Sequence, residues 1–232
     1  MKKLGLIGGI GPESTLLYYR KLVYEAQRRV GADFFPNLTI ESLNVFDVLT
    51  LCRNQNYTAL VDYLMDGINN LTAAGVDVVA LTGNTPHIVF DELQKRATVP
   101  LVSIIESTRD DALRLGVTKA GLLGTRFTME EDFFKKPFRE SGITVITPDT
   151  ATMALIDEKI TTELEQGVIK PETRADFVNI VQRMKKEKGI DAVILGCTEL
   201  PLLFSDVLLP VVGLDTMQSH IDRLLAIILT ED

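Results

Sequence analysis

Short apolar runs rich in β-branched residues, each followed by glycine or hydroxyl residues, recur at 3–7, 37–43, 76–81 and 99–105. Runs of this length that stay apolar instead of alternating predict strands buried on both faces, as in a parallel sheet. Between them, at 14–28 and 57–74, apolar residues return every three or four positions and predict amphipathic helices. The same order then recurs: strand-like runs at 120–123, 144–147, 192–195 and 211–214, helical patterns at 129–141 and 174–188, and a last helix over 217–229. Strands alternating with helices predict an α/β architecture.

The recurrence is visible residue by residue. Lys3-Leu-Gly-Leu-Ile-Gly-Gly9 matches Lys119-Ala-Gly-Leu-Leu-Gly-Thr125, and Val99-Pro-Leu-Val-Ser103 matches Leu209-Pro-Val-Val-Gly213. Residues 76–86 align without a gap against 190–200, which sets Gly83 opposite Cys197. The expected fold is α/β with two similar pseudo-symmetric lobes, each a parallel sheet flanked by helices. Ligands of open parallel sheets sit beyond the carboxyl ends of the strands, so the active site is expected in the cleft between the lobes. The boundary falls near Ser107, giving a first lobe at 1–106, a second at 107–215, and a C-terminal helix at 216–232 that packs back on the first.

Composition narrows the field. With 232 residues, 46% hydrophobic and 24% charged, the chain can bury a large core. A net charge of −8 without any Lys/Arg-rich stretch excludes a nucleic-acid partner. No segment has the roughly 18 uninterrupted apolar residues of a membrane span. The apolar start is short, Gly-rich and closed by Pro12 and Glu13, so it reads as a first strand and not a signal peptide. Cys52 and Cys197 lie on unrelated segments and are expected to be free thiols in a reducing cytoplasm.

Cys197 ends a strand in Gly196-Cys197-Thr198-Glu199. It reads either as a small buried hydrophobe or as an acid/base whose pKa backbone amides lower from about 8.5. Cys52 follows a run that reads as a turn or short helix and is structural. Gly9-Ile10-Gly11-Pro12-Glu13-Ser14 lacks the third glycine of a dinucleotide fingerprint, yet its turn at a helix N-terminus presents amides to an anion such as a carboxylate. Thr125 and Thr128 occupy the equivalent place in the second lobe, as an anion site or a helix cap. Asn84 and Thr85 beside Gly83 either cap the next helix or donate to a ligand. Arg53, in a polar loop after the second strand, is either solvated or a bidentate carboxylate partner. His87 and His220 have no partners at ligand spacing, which leaves them to packing or capping and predicts no metal site.

Leu6-Ile-Gly-Gly-Ile-Gly-Pro-Glu-Ser-Thr15, Gly83-Asn-Thr85 with His87, Leu122-Leu-Gly-Thr-Arg-Phe-Thr-Met129 and Gly196-Cys-Thr-Glu-Leu200 together resemble the aspartate/glutamate racemase family over nearly the whole chain. The resemblance implies a cytoplasmic, often dimeric enzyme that needs no pyridoxal phosphate or other cofactor. In that family two cysteines on opposite cleft walls remove and return the substrate Cα proton. It implies that Cys197 is one acid/base and that the substrate is a small acidic amino acid or similar dicarboxylate. Asn84, Thr85 and Thr198 would hold its α-carboxylate and amino group, with Thr125, Thr128, Gly9 and Ile10 serving the carboxylate sites and Arg53 and Glu199 adding contacts. Gly83 stands where the family carries its first cysteine. The adjacent Thr82 is a candidate catalytic group for the Gly83 side, although a hydroxyl is a poor base without activation. Some relatives carry threonine at that place and act mainly on one enantiomer, whereas arylmalonate decarboxylases pair glycine there with a single cysteine. Glutamate racemases carry histidine where Glu199 stands and an Asp-Ser near the start, which moves this chain toward the aspartate and broad-specificity branch. The alternatives are a single-cysteine decarboxylase or one-sided isomerase, or a weakly catalytic binding protein for acidic metabolites.

Overall fold

In the computed structural model, which describes residues 1–230, the chain forms two units. The first comprises Met1–Ile104 together with the C-terminal segment from Met217; the second is the continuous stretch Ile105–Thr216. Each holds a four-stranded parallel sheet flanked by helices, as the strand–helix alternation predicts.

In the first unit the strands are β1 (Leu4–Gly8), β2 (Leu38–Ser42), β3 (Val78–Leu81) and β4 (Leu101–Val102), in the order β2-β1-β3-β4. The helices are α1 (Pro12–Val30), α2 (Val45–Arg53), α3 (Tyr57–Ala73) and α4 (Phe90–Arg96). The second unit has β5 (Lys119–Leu123), β6 (Thr144–Ile146), β7 (Ala192–Leu195) and β8 (Val212–Asp215), in the order β6-β5-β7-β8. Its helices are α5 (Ile104–Arg114, which begins on the last residue of the first unit), α6 (Arg126–Glu130), α7 (Lys135–Glu140), α8 (Thr150–Thr162), α9 (Pro171–Lys188) and α10 (Leu200–Leu203). The last helix, α11 (Thr216–Ile228), packs in the first unit. Of the C-terminal helix expected over 216–232, Glu231 and Asp232 lie outside the described residues.

The central strands β1, β3 and β7 are buried at every position, while edge strands β2 and β6 are partly exposed. The repeat extends to register. Leu4 pairs with Val78 and Ile7 with Leu81; the equivalents Ala120 with Ala192 and Leu123 with Leu195 pair identically. The fourth strands depart from the sequence match. Val79 pairs with Leu101 but its equivalent Val193 pairs with Gly213, two residues beyond the position that aligning Pro100 with Pro210 gives. A two-residue shift keeps side chains on the same face of a strand, so the apolar pattern does not detect it.

Other boundaries are also corrected. The strand expected over 99–105 is only Leu101–Val102, because α5 begins at Ile104. The helix expected over 129–141 is two short pieces, α6 and α7. Pro137 explains the break: it lies in the first turn of α7, where no helical N–H is needed, whereas in one continuous helix it would remove an interior hydrogen bond. Arg53 ends a helix instead of lying in a loop, and Cys52 is on the same helix.

The first core joins Leu4, Leu6, Val78 and Ala80 of the sheet to Tyr18, Leu22 and Ala26 of α1 and to Met217, Ile221, Leu224, Leu225 and Ile228 of α11. Pro12 at the start of α1, Glu13 in its first turn and Arg28 and Arg29 in its last suit the helix dipole.

Candidate active site at the strand ends

In the first unit the chain leaves β1 through Gly9 and Gly11, at φ +75° and +89°. A side chain at Gly9 would also come within 2.1 Å of Leu43 O, so only glycine fits this turn. The Gly9 N–H donates to Thr15 Oγ1 at 2.9 Å, and that hydroxyl lies 3.2 Å from Thr82 Oγ1. Thr82 itself donates to Ile7 O at 3.0 Å and is fully buried. Thr82 is therefore corrected: its proton is committed to a backbone carbonyl, and the side chain ties β3 to β1 at the strand ends. Thr15, which the sequence gives no reason to treat as more than a motif position, completes that tie.

Gly83 lies against the Gly9–Gly11 turn. A Cβ there would stand 3.1 Å from Ile10 O and 3.3 Å from Ile10 Cγ2, so the structure brings Gly83 and Ile10 together. Asn84 is buried and Thr85 half-buried; Asn84 precedes the 3-10 turn Thr85–Val89 without a side-chain cap, so the capping alternative is not what the structure shows. Arg53 is exposed at the end of α2 and makes no ion pair or side-chain hydrogen bond among the described residues.

His87 holds the Gly83 turn from behind. Its Nδ1 lies 2.9 Å from Gly83 O, which can only accept, and its Nε2 lies 3.3 Å from the Ile104 amide, which can only donate. The neutral Nδ1–H tautomer satisfies both. His220 is fixed in the same manner, with Nε2–H donating to Val102 O at 3.0 Å and Nδ1 accepting from Tyr18 Oη at 2.8 Å. Burial lowers His87 to about 4, against its backbone hydrogen bonds; burial, then the His87 charge, lowers His220 to about 3. Both histidines thus pack and brace residues 102–104. Among the described residues no three His, Cys, Asp or Glu side chains converge as a metal site.

In the second unit the ends of β5 and β7 meet through bare backbone. A Cβ on Gly196 would stand 2.9 Å from Leu123 O, and one on Gly124 would stand 3.1 Å from Gly196 O. The Thr128 methyl lies against both glycines. Thr125 caps α6, accepting from the Thr128 amide at 3.4 Å, and the two hydroxyls are 3.1 Å apart. The cap reading of Thr125 holds, and the fold brings Thr125 and Thr128 beside the Gly196–Cys197 turn.

Cys197 follows β7 and is 9% exposed. Its Sγ donates to Glu199 Oε2 at 2.8 Å, and Thr198 Oγ1 donates to the same oxygen at 2.9 Å. Burial first, then the charge and hydrogen bond of Glu199 with a further contribution from Glu165, push the thiol well above its usual value. The expected lowering by backbone amides is corrected: the backbone does act in that direction, but burial beside a carboxylate outweighs it. Glu165, which no sequence pattern marks, is itself raised, by burial and then by Glu199 and Asp157. Cys52 is buried, which raises it to about 11.

Two repeats thus end in matched turns, one carrying a thiol and the other a glycine. The Asp/Glu/hydantoin racemase family model matches residues 7–224 of this chain. The chain belongs to this family. It is 26% identical over 200 residues, 85% of each chain, to the broad-specificity amino-acid racemase RacX of Bacillus subtilis. Its fold superimposes on an aspartate racemase homologue from Pyrococcus horikoshii with a TM-score of 0.87 and 36% identity, covering 99% of this chain and all of the other. A racemase-like structure from Yersinia pestis gives a TM-score of 0.92 at 30% identity, again over 99% of this chain. Membership makes the chain an isomerase-class enzyme and bears out the resemblance read from its motifs.

Proposed function

We propose that this racemase-family chain moves a proton at the Cα of a small acidic amino acid, aspartate- or glutamate-like, without a cofactor, using Cys197 as acid/base. The observation that carries the reading is a strand-end thiol hydrogen-bonded to a carboxylate at 2.8 Å in a chain of this family. In this reading the first unit offers a carboxylate the amides at Gly9 and Ile10, Asn84, the Thr85 hydroxyl and Arg53, and the second unit, taken by itself, offers the hydroxyls of Thr125 and Thr128, while the Thr198 hydroxyl is engaged by Glu199. Both cysteines are free, which suits a reducing cytoplasm, and a homodimer completes the reading.

Full racemisation needs an acid/base on each face of the planar carbanion, because one thiol serves a single face. Gly83 occupies the place equivalent to Cys197 and offers no proton. The reading is therefore one-sided: exchange of the Cα proton of one enantiomer outruns inversion. Proton NMR and chiral chromatography of aspartate, glutamate, alanine and lysine incubated in deuterium oxide test this. Cα deuteration of one enantiomer of aspartate or glutamate is expected, and none on any of the four would overturn it.

A second reading draws on the high pKa of the thiol. A protonated Cys197 suits delivery of a proton to an enediolate left by decarboxylation of a small dicarboxylate. Including methylmalonate in the same experiment separates the readings, since loss of carbon dioxide marks this one and binding without any reaction marks a metabolite-binding protein.

A further inference from the structure

The sequence offers Glu199 as a substrate contact, yet its carboxylate is turned onto its neighbours. One oxygen accepts from both the Cys197 thiol and the Thr198 hydroxyl. The backbone holds it there: Glu199 O accepts from Leu202 N at 3.1 Å and Leu203 N at 3.3 Å at the start of α10. Glu199 is half-buried and more open than the thiol.

We propose that Glu199 is the proton partner of Cys197, taking the thiol proton when sulfur acts as base and returning it when sulfur acts as acid. The proposal rests on the acid/base role of Cys197. In the hydrogen bond as it stands, Sγ carries the proton and Oε2 accepts it. As a substrate Cα–H bond breaks toward Sγ, the Sγ–H bond breaks toward Oε2. The Cα electron pair remains on the substrate as an enolate-like carbanion, sulfur is again a thiol, and Glu199 is a neutral acid. Reprotonation reverses each bond.

Charge explains why the transfer stays inside the pair. A thiolate formed by losing its proton to water would stand beside the Glu199 carboxylate, with Glu165 adding a further like charge and Asp157 acting on Glu165. Lys159 and Lys170, on either side of Glu165 in sequence, are engaged by Glu163, and Arg126 by Glu130. Transfer to Oε2 creates no additional charge, and the Thr198 hydroxyl holds the accepting oxygen in line. The half-buried carboxylate also gives the thiol proton a route to solvent, which deuterium incorporation requires.

The test compares the parent with Glu199→Gln, which keeps the size and an accepting oxygen but cannot take a proton. Iodoacetamide alkylation of the Cys197 peptide is followed from pH 6 to 10 by mass spectrometry, with the Cys52 peptide as internal reference. Cα exchange of aspartate, glutamate, alanine and lysine is followed in deuterium oxide. Removing a neighbouring negative charge is expected to speed alkylation near neutral pH about tenfold or more, one pKa unit being tenfold in thiolate. Exchange is expected to fall about ten- to a hundredfold. A packing role alone does not drive the two readouts in opposite directions. Glu199→Asp keeps the charge at shorter reach and is expected to alkylate like the parent while exchanging more slowly. Parent-like exchange in Glu199→Gln, or unchanged alkylation, overturns the partnership and leaves the role of Cys197 standing. A parent that exchanges none of the four amino acids overturns the proposed function and the partnership with it.

Discussion

Serine in place of Cys197 keeps a donor within reach of Glu199 and removes the ionisable sulfur. Cα exchange is expected to fall below detection while urea unfolding stays within about 1.5 kcal/mol of the parent, the scale of one hydrogen bond; near-parental exchange would remove the thiol from the mechanism. Gly83→Cys places a second thiol at the equivalent turn, but its Cβ meets Ile10 O at 3.1 Å, so the Ile10 backbone must give by a few tenths of an ångström. The ratio of inversion to exchange is expected to rise about tenfold or more, read by deuterium content and chirality on the same samples. A parent that already inverts both enantiomers as fast as it exchanges them would end the one-sided reading. At this scale the sequence marks the thiol through its place at a strand end and its partner glycine through the internal repeat. It does not mark the direction of the thiol's pKa, which depends first on burial, then on Glu199 folding back over two residues and on Glu165, far off in sequence. Nor does it show that Thr82 faces inward, since both orientations of a strand-end hydroxyl give the same pattern.

Elements with clean periodicity were legible and those governed by local chemistry were not. α1, α3 and α9 lie within a few residues of their apolar patterns. α8 is not marked by the sequence pattern because its start is threonine-rich, with low helix propensity, and it is capped by Asp149, which accepts from the Thr152 amide at 2.9 Å and hydroxyl at 2.8 Å. Beyond it Glu163, with Lys159 at 2.7 Å, Lys170 at 3.1 Å and Thr173 around its carboxylate, pins the turn into α9. α11 carries a different load. Met217, Ile221, Leu224, Leu225 and Ile228 are each at most 2% exposed and cover one face of the first sheet. Leu225→Ala is expected to cost about 2–5 kcal/mol, the range for emptying a packed leucine site. Urea titration measures it, and a cost under about 1 kcal/mol would mean that the helix contributes little to that core.

The whole chain holds two histidines, and both are buried neutral in the first unit. Their folded pKa values, about 4 and about 3, lie below the unfolded value near 6.5, so the unfolded chain takes up protons that the folded chain refuses. Stability is therefore complete above pH 6.5 and falls as pH drops, by about 1.4 kcal/mol per pH unit for each histidine, until the folded pKa values are passed. Urea midpoints measured from pH 7.5 to 4.5 are expected to decline from about pH 6.5, and a flat profile down to pH 5 would contradict the buried neutral assignment. The duplicated strand order was readable because apolar runs repeat in the same sequence of lengths; the two-residue offset of β8 was not, because it leaves the facing pattern intact. The way the first unit is assembled from two separated pieces of chain also bears on synthesis. A ribosome releases Met1–Ile104 first, and the core built on Leu4, Leu6, Val78 and Ala80, with α1 against it, then waits for its α11 half until all of Ile105–Thr216 has been made. The unit that begins first is completed last, so a nascent or prematurely terminated chain has α1 on that face but lacks α11, and the part of the apolar core that α11 covers stays exposed, the kind of surface that aggregation begins from.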